Sequence, residues 1–234
     1  MEKGRIEGEH MKNLYWLVLS AVMILGTGCS GNIQTTITPP GDYAINNSRT
    51  FDAPYDKVWD AAISSVGESF FVLENITRDS GIISITFLSK LPNNYIDCGI
   101  ITDSGQLYGG KKHYLSFPGA ETPVKRILIF NAQNSSTVRY VYLTGKINLI
   151  FKEKSKNSTE VKVNTLYIVD ITHEKSYIAL GGPLSGTMQS ITTEHKTTFT
   201  ANEIGIFSDG VQCRSRFTLE QQLLDGIQKM LNIM

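Results

Sequence analysis

A chain of 234 residues, 41% of them hydrophobic, is long enough for one domain with a full core and leaves room for two small ones. Lys and Arg together number 22, as do Asp and Glu, so the formal net charge is zero. That balance excludes a net field that would gather nucleic acid, anionic lipid or acidic substrates.

Met1–His10 is polar and unlike the start of a signal segment. Glu7-Gly8-Glu9 is necessarily purine-rich at its first two codon positions, as a ribosome-binding site would be, so translation is expected to begin at Met11. Lys12 then precedes an apolar run from Leu14 to Leu25, followed by Gly26, Thr27, Gly28 and Cys29. This is the layout of a secretory signal, too short and wrongly flanked to span a bilayer. The position of the cysteine resembles a bacterial lipobox, although Gly26 stands where leucine is usual and Leu25 lies one place further out. The resemblance implies that residues 1–28 are removed and that Cys29 is lipidated, through its sulfur and then at its amine. An ordinary secreted protein is the other reading. Cleavage would remove Lys3, Arg5 and Lys12 with Glu2, Glu7 and Glu9, leaving the charges balanced. Ser30, rather than Asp, after the cysteine implies release to the outer membrane, facing the periplasm, by the enterobacterial pattern.

Three cysteines are an odd number for an exported chain. With Cys29 acylated, Cys98 and Cys213 remain as a pair. They are either bridged in an oxidising periplasm or two buried thiols. Residues 29–48, with Pro39, Pro40 and Gly41 and few apolar side chains, are expected to be a lipidated flexible tether.

Residues 49–234 are expected to form one domain. Thr50-Phe51 reads as a short strand, and Asp52 or Ala53 as the cap of a helix opened by Pro54. Val58, Ala62 and Val66 share a helical stripe with Trp59 and Ile63 beside it. Phe70–Thr77 and Ile82–Leu88 are strands joined by a turn at Arg78–Gly81. Ser89–Val124 reads as a loop-rich excursion with one short strand near Ile96–Thr102. Alternation resumes at Lys125–Phe130 and at Thr137–Phe151, and Thr159–Ile171 answers the latter as a long hairpin. His173–His195 reads as a flexible or turn-forming insert, and Thr197–Asn202 as a further strand. Thr218 and Gln221 suggest a capping box. It opens a helix with Leu219, Leu223, Ile227 and Leu231 inside, and Glu220, Asp225, Gln228 and Lys229 outside. The expected class is α+β, an antiparallel sheet packed by two helices, with loop-rich insertions.

The order strand, helix, antiparallel strands, helix resembles the helix-grip group. More narrowly, Phe51–Ala62 with its Val58-Trp59 pair, then Phe71–Leu73 and Gly81-Ile82-Ile83, is similar to the start of a BamC/NlpB-like lipoprotein domain. The resemblance is carried by about Thr50–Phe87; a Pro-x-x-x-Val-Trp helix also opens START-like and polyketide-cyclase-like grips. It implies a lipid-anchored accessory module with protein partners in the envelope. The alternative it offers is a carrier with a groove for a small apolar ligand beside Trp59, Ile63 and Val66.

Catalytic and metal chemistry find little support. His10, His113, His173 and His195 are scattered and match no zinc-ligand spacing. In Gly182–Gly186 the serine is fourth rather than third, which breaks the nucleophile-elbow pattern. Cys98 lacks a conspicuous basic neighbour and is expected to be structural, while Arg214 and Arg216 read as a solvated strand end. No nucleophile, base and oxyanion donor assemble, so the expected protein is not an enzyme and needs no cofactor.

Overall fold

The computed structural model describes residues 30–69, 71–179 and 183–233. In chain order the strands are β1 (Asn32–Thr38), β2 (Ser48–Phe51), β3 (Val72–Thr77), β4 (Ile82–Ser89), β5 (Ile96–Asp97), β6 (Ile100–Gln106), β7 (Lys112–Pro118), β8 (Val124–Phe130), β9 (Gln133–Ser155), β10 (Ser158–Ile178), β11 (Met188–Thr200), β12 (Ile204–Ile206) and β13 (Gln212–Ser215). Helix α1 (Tyr55–Gly67) follows β2, and helix α2 (Thr218–Ile233) follows β13. Among the described residues the fold is α+β, mostly antiparallel sheet with two α-helices.

The frame is the β9–β10 hairpin. Alternation puts Val141, Leu143, Ile147, Leu149 and Phe151 on one face of β9, and Val161, Val163, Tyr167, Val169 and Ile171 on the matching face of β10, all buried. Register pairs Leu149 with Val163 and Leu143 with Val169, so the two inward rows coincide. Both strands exceed the length of their partners, and each edge is therefore shared. Along β9, β8 pairs with the first part and β4 with the second. Along β10, β2 pairs with the start and β11 with the remainder. The sheet ends at β3, which pairs only with β4. At one place the backbone must be bare: a Cβ on Gly145 of β9 would lie 2.3 Å from the Phe87 ring, which crosses the strand there.

This long sheet has two differently covered ends. The helices pack on β2 and on the adjoining parts of β9 and β10. A separate three-stranded sheet, β1-β6-β7, packs against β8 at the other end. The link there is a buried ion pair: Arg126 Nε and Nη2 donate to both oxygens of Asp103 at 2.7 and 2.6 Å. Thr35 of β1 donates to the same carboxylate at 2.7 Å.

Four expectations are corrected. The stretch 30–48 is not a free tether. Asn32–Thr38 is strand β1, paired with β6 from Asn32↔Gln106 to Thr38↔Ile100, and Asn47 is buried and exchanges hydrogen bonds with Val163. Its low apolar content reflects an edge position that needs backbone pairing more than burial. Ser89–Val124 holds three strands, because glycines at positive φ (Gly99, Gly109, Gly110) turn the chain between them. The insert at 173–195 is largely strand: β10 runs on to Ile178 and β11 starts at Met188, with polar side chains because this hairpin arm is half-exposed. Neither cap forms through a side chain as expected. Pro54 precedes α1 in an extended conformation without a side-chain cap, and Thr218 donates instead to the Asn94 carbonyl at 2.6 Å.

Candidate functional site

Cys98 and Cys213 are joined by a disulfide across a sequence separation of 115 residues. It ties the β5–β6 junction to β13. Around it, Asp97 gathers the N-terminal segment: Tyr43 donates to its carboxylate at 2.7 Å, and the Gly41 and Gly99 amides donate at 3.1 and 2.9 Å. Burial pushes this carboxyl up, yet these bonds and the nearby Arg216 hold it below the usual aspartate range. Arg216 donates to the Tyr43 hydroxyl at 2.7 Å and lies over the Tyr43 ring. The expected solvated strand end is therefore, at Arg216, a clasp on the chain entering the domain.

The proposed ligand groove is filled. Trp59 is 4% exposed and Val66 2%, while Ile63 is partly buried against the same core. The Trp59 ring meets Phe151 at 5.0 Å and stacks on Tyr55 at 6.0 Å. Helix α2 docks through a polar relay that its amphipathic pattern hides. Phe217 N–H donates to Ser215 Oγ at 2.9 Å, Ser215 donates to Tyr167 Oη at 3.1 Å, and Tyr167 donates to Glu220 at 2.9 Å. Glu220, expected on the outer side, is fully buried. Its place in the first helical turn also sets it against the positive end of the helix dipole.

Burial pushes the Glu220 carboxyl above the usual glutamate range. Ionisation then favours the unfolded chain, so stability falls as pH rises from the ordinary glutamate value through the raised one. Glu220→Gln is expected to flatten that slope in denaturant titrations run upward from the ordinary glutamate value. Tyr167→Phe removes the phenol from Glu220 and Ser215 and is expected to lower stability by about 1–3 kcal/mol. A slope unchanged by Glu220→Gln would refute this assignment.

The exposed feature with binding character is the β3 edge. All residues of Val72–Thr77 are exposed, including Val72 at 64% and Ile76 at 46%. Beside it lies a groove of about 480 Å³ lined by Val72, Thr86, Phe87, Leu88, Thr144 and Ile168, with no helix residue among its walls. Edge strands are usually blunted by charge. Here Glu74 is the one charge on β3, and it is drawn to Lys146 at 4.0 Å.

Cys29 lies outside the described residues. Among the described residues no helix is long and apolar enough to cross a membrane, and no group of three or more His, Cys, Asp and Glu side chains could hold a metal ion. His173 and His195, far apart in the chain, bring their rings within 5.8 Å. The period of two already placed Tyr167 inward. Arg139 and Arg126 share that inward parity with Val141 and Val124, a signal overshadowed by their charge. No protein-family model, curated protein or solved structure matches the chain.

Proposed function

We propose that this chain is an exported, lipid-anchored binding module of an envelope protein complex, with a helix-grip-like domain of the BamC/NlpB kind. It binds an extended strand of a protein partner along the β3 edge and is not an enzyme. The observation that carries the choice over ligand carriage is the filled interior between helices and sheet, where Trp59 and Val66 leave no room for an apolar molecule. A free edge with apolar side chains on both faces suits β-augmentation, in which backbone bonds supply affinity and the adjoining groove selects side chains. The Cys98–Cys213 bridge suits an oxidising compartment.

The reading also sets the geometry at the membrane. Between a lipidated Cys29 and β1 stand only Ser30 and Gly31. Asn32 pairs with Gln106, so the β6–β7 turn, with exposed Tyr108 and two lysines after it, would lie beside the anchor at the bilayer surface. The partner site on β3 then belongs to a body held close to the membrane.

A photoreactive residue in place of Ile76, introduced into the full chain in its native cell, tests the reading. It is expected to cross-link one discrete envelope protein, while the same residue at exposed Lys229 on α2 does not. Equal labelling from both positions, or a tightly bound apolar molecule recovered from the purified protein with no cross-link at Ile76, would refute it.

A further inference from the structure

The β9–β10 hairpin carries a buried polar pair that the docking function does not use. Arg139 of β9 is fully buried, and neither of its Nη atoms has a hydrogen-bond partner among the described residues. Its cross-strand neighbour on β10 is His173, whose Nε2 is likewise buried without a partner. The groups that face this pair are identifiable from each element. Arg126 on β8 is already committed to Asp103 by its bidentate pair. The His195 ring on β11 lies 5.8 Å from that of His173, at an interplanar angle of 72°. Asp209, in the turn between β12 and β13, exerts the one attractive charge on Arg139, but it is exposed, lies beyond ion-pair distance and accepts from the Val211 amide.

Among the described residues, Arg139 is thus a buried cation without a counter-ion. Burial, then Arg126, lower its pKa to about 10, so it stays charged at neutral pH. Burial, then Arg139 and Arg126, lower His173 to about 4, so its ring is neutral and Nε2 can carry a proton for donation. An isolated buried charge is strongly unfavourable unless something pairs with it. The terminal face of a guanidinium is a planar fork that matches two oxygens of one oxyanion, and a neutral imidazole N–H beside it supplies a further donor.

We propose that Arg139 and His173 form a buried receptor for a small inorganic oxyanion of the phosphate or sulfate class. The anion accepts from both Nη atoms of Arg139 and from Nε2 of His173, across the β9–β10 pair. No covalent step is involved, and the anion is bound as a structural ligand.

The test is thermal unfolding of the full chain in rising inorganic phosphate at constant ionic strength, with chloride as the balancing ion. The wild type is expected to gain stability along a saturating curve. Arg139→Met is expected to lose the saturating component, weakening phosphate at least about tenfold, and to be no less stable than the wild type in chloride alone. Calorimetric titration of folded wild type and of His173→Gln gives a readout that does not require the Arg139 variant to fold. The histidine variant is expected to bind phosphate several-fold more weakly, by the loss of one hydrogen bond. Equal phosphate responses in wild type and Arg139→Met, or no saturable phosphate binding to the wild type, would overturn the proposal.

Discussion

Replacing Arg126 with methionine is expected to destabilise the protein by about 3–5 kcal/mol, because it strands the Asp103 carboxylate in a buried site. Three strands meet at that carboxylate: β6 carries it, β8 supplies Arg126 and β1 supplies Thr35. Removing the guanidinium takes away two charge-assisted bonds at once, and water cannot replace them in a site closed on both sides. The pH dependence follows from the same geometry. Burial pushes Asp103 up, but Arg126 and Thr35 hold it below the usual aspartate range. Its contribution is therefore complete above the ordinary aspartate value near pH 4 and is lost as pH falls through the depressed folded value. The Arg126→Met variant should lose most stability at neutral pH and approach the wild type as Asp103 protonates. Adding Asp103→Leu to Arg126→Met should restore much of the loss, since an apolar pair of similar volume avoids the desolvation that an ion pair incurs. Guanidinium unfolding of the three proteins at two pH values reads both effects. A neutral-pH loss below about 1 kcal/mol would fit an exposed pair instead.

Joint replacement of Cys98 and Cys213 by alanine is expected to lower stability by about 4–5 kcal/mol, from the chain entropy released when so long a loop is opened. For a domain of this size that corresponds to a melting temperature lower by roughly 10–15 °C. The bridge lies at the crossing of β5 and β13, beside the Asp97–Tyr43–Arg216 clasp, so the loss should spread to the N-terminal segment. Amide exchange at Tyr43 and Asn47 should accelerate in the double variant more than exchange in the β9–β10 hairpin. Both cysteines are buried, so a reductant should act on the native protein only slowly. Two reactive thiols in folded, oxidised protein, or an unchanged melting temperature in the double variant, would contradict this account.

The frame of the fold could be read from side-chain period alone, and its joints could not. Val161 through Ile171 alternate without a break, and all the inward members are buried, because in a long hairpin one face decides everything. Helix α1 was legible for the same reason, through Val58, Ala62 and Val66. The β1 strand left no such trace. It pairs through its backbone with β6 while most of its side chains stay in solvent, so composition suggested a tether. Glu220 was misjudged from charge: a helical parity that points inward is overruled in a sequence reading when the side chain is ionisable. What reverses that judgement is a partner distant in sequence, Tyr167 for Glu220. The pairing of Cys98 with Cys213 likewise awaited the geometry that brings β5 beside β13.

The intact mass of the protein purified from its native envelope tests the central proposal most directly. The expected species begins at Cys29, carries the added mass of acyl chains at that residue, and is lighter than its reduced form by the hydrogens of one disulfide. A cytosolic species that keeps the leader Met11–Gly28 and lacks acyl mass would contradict the anchor, the compartment and the docking role together.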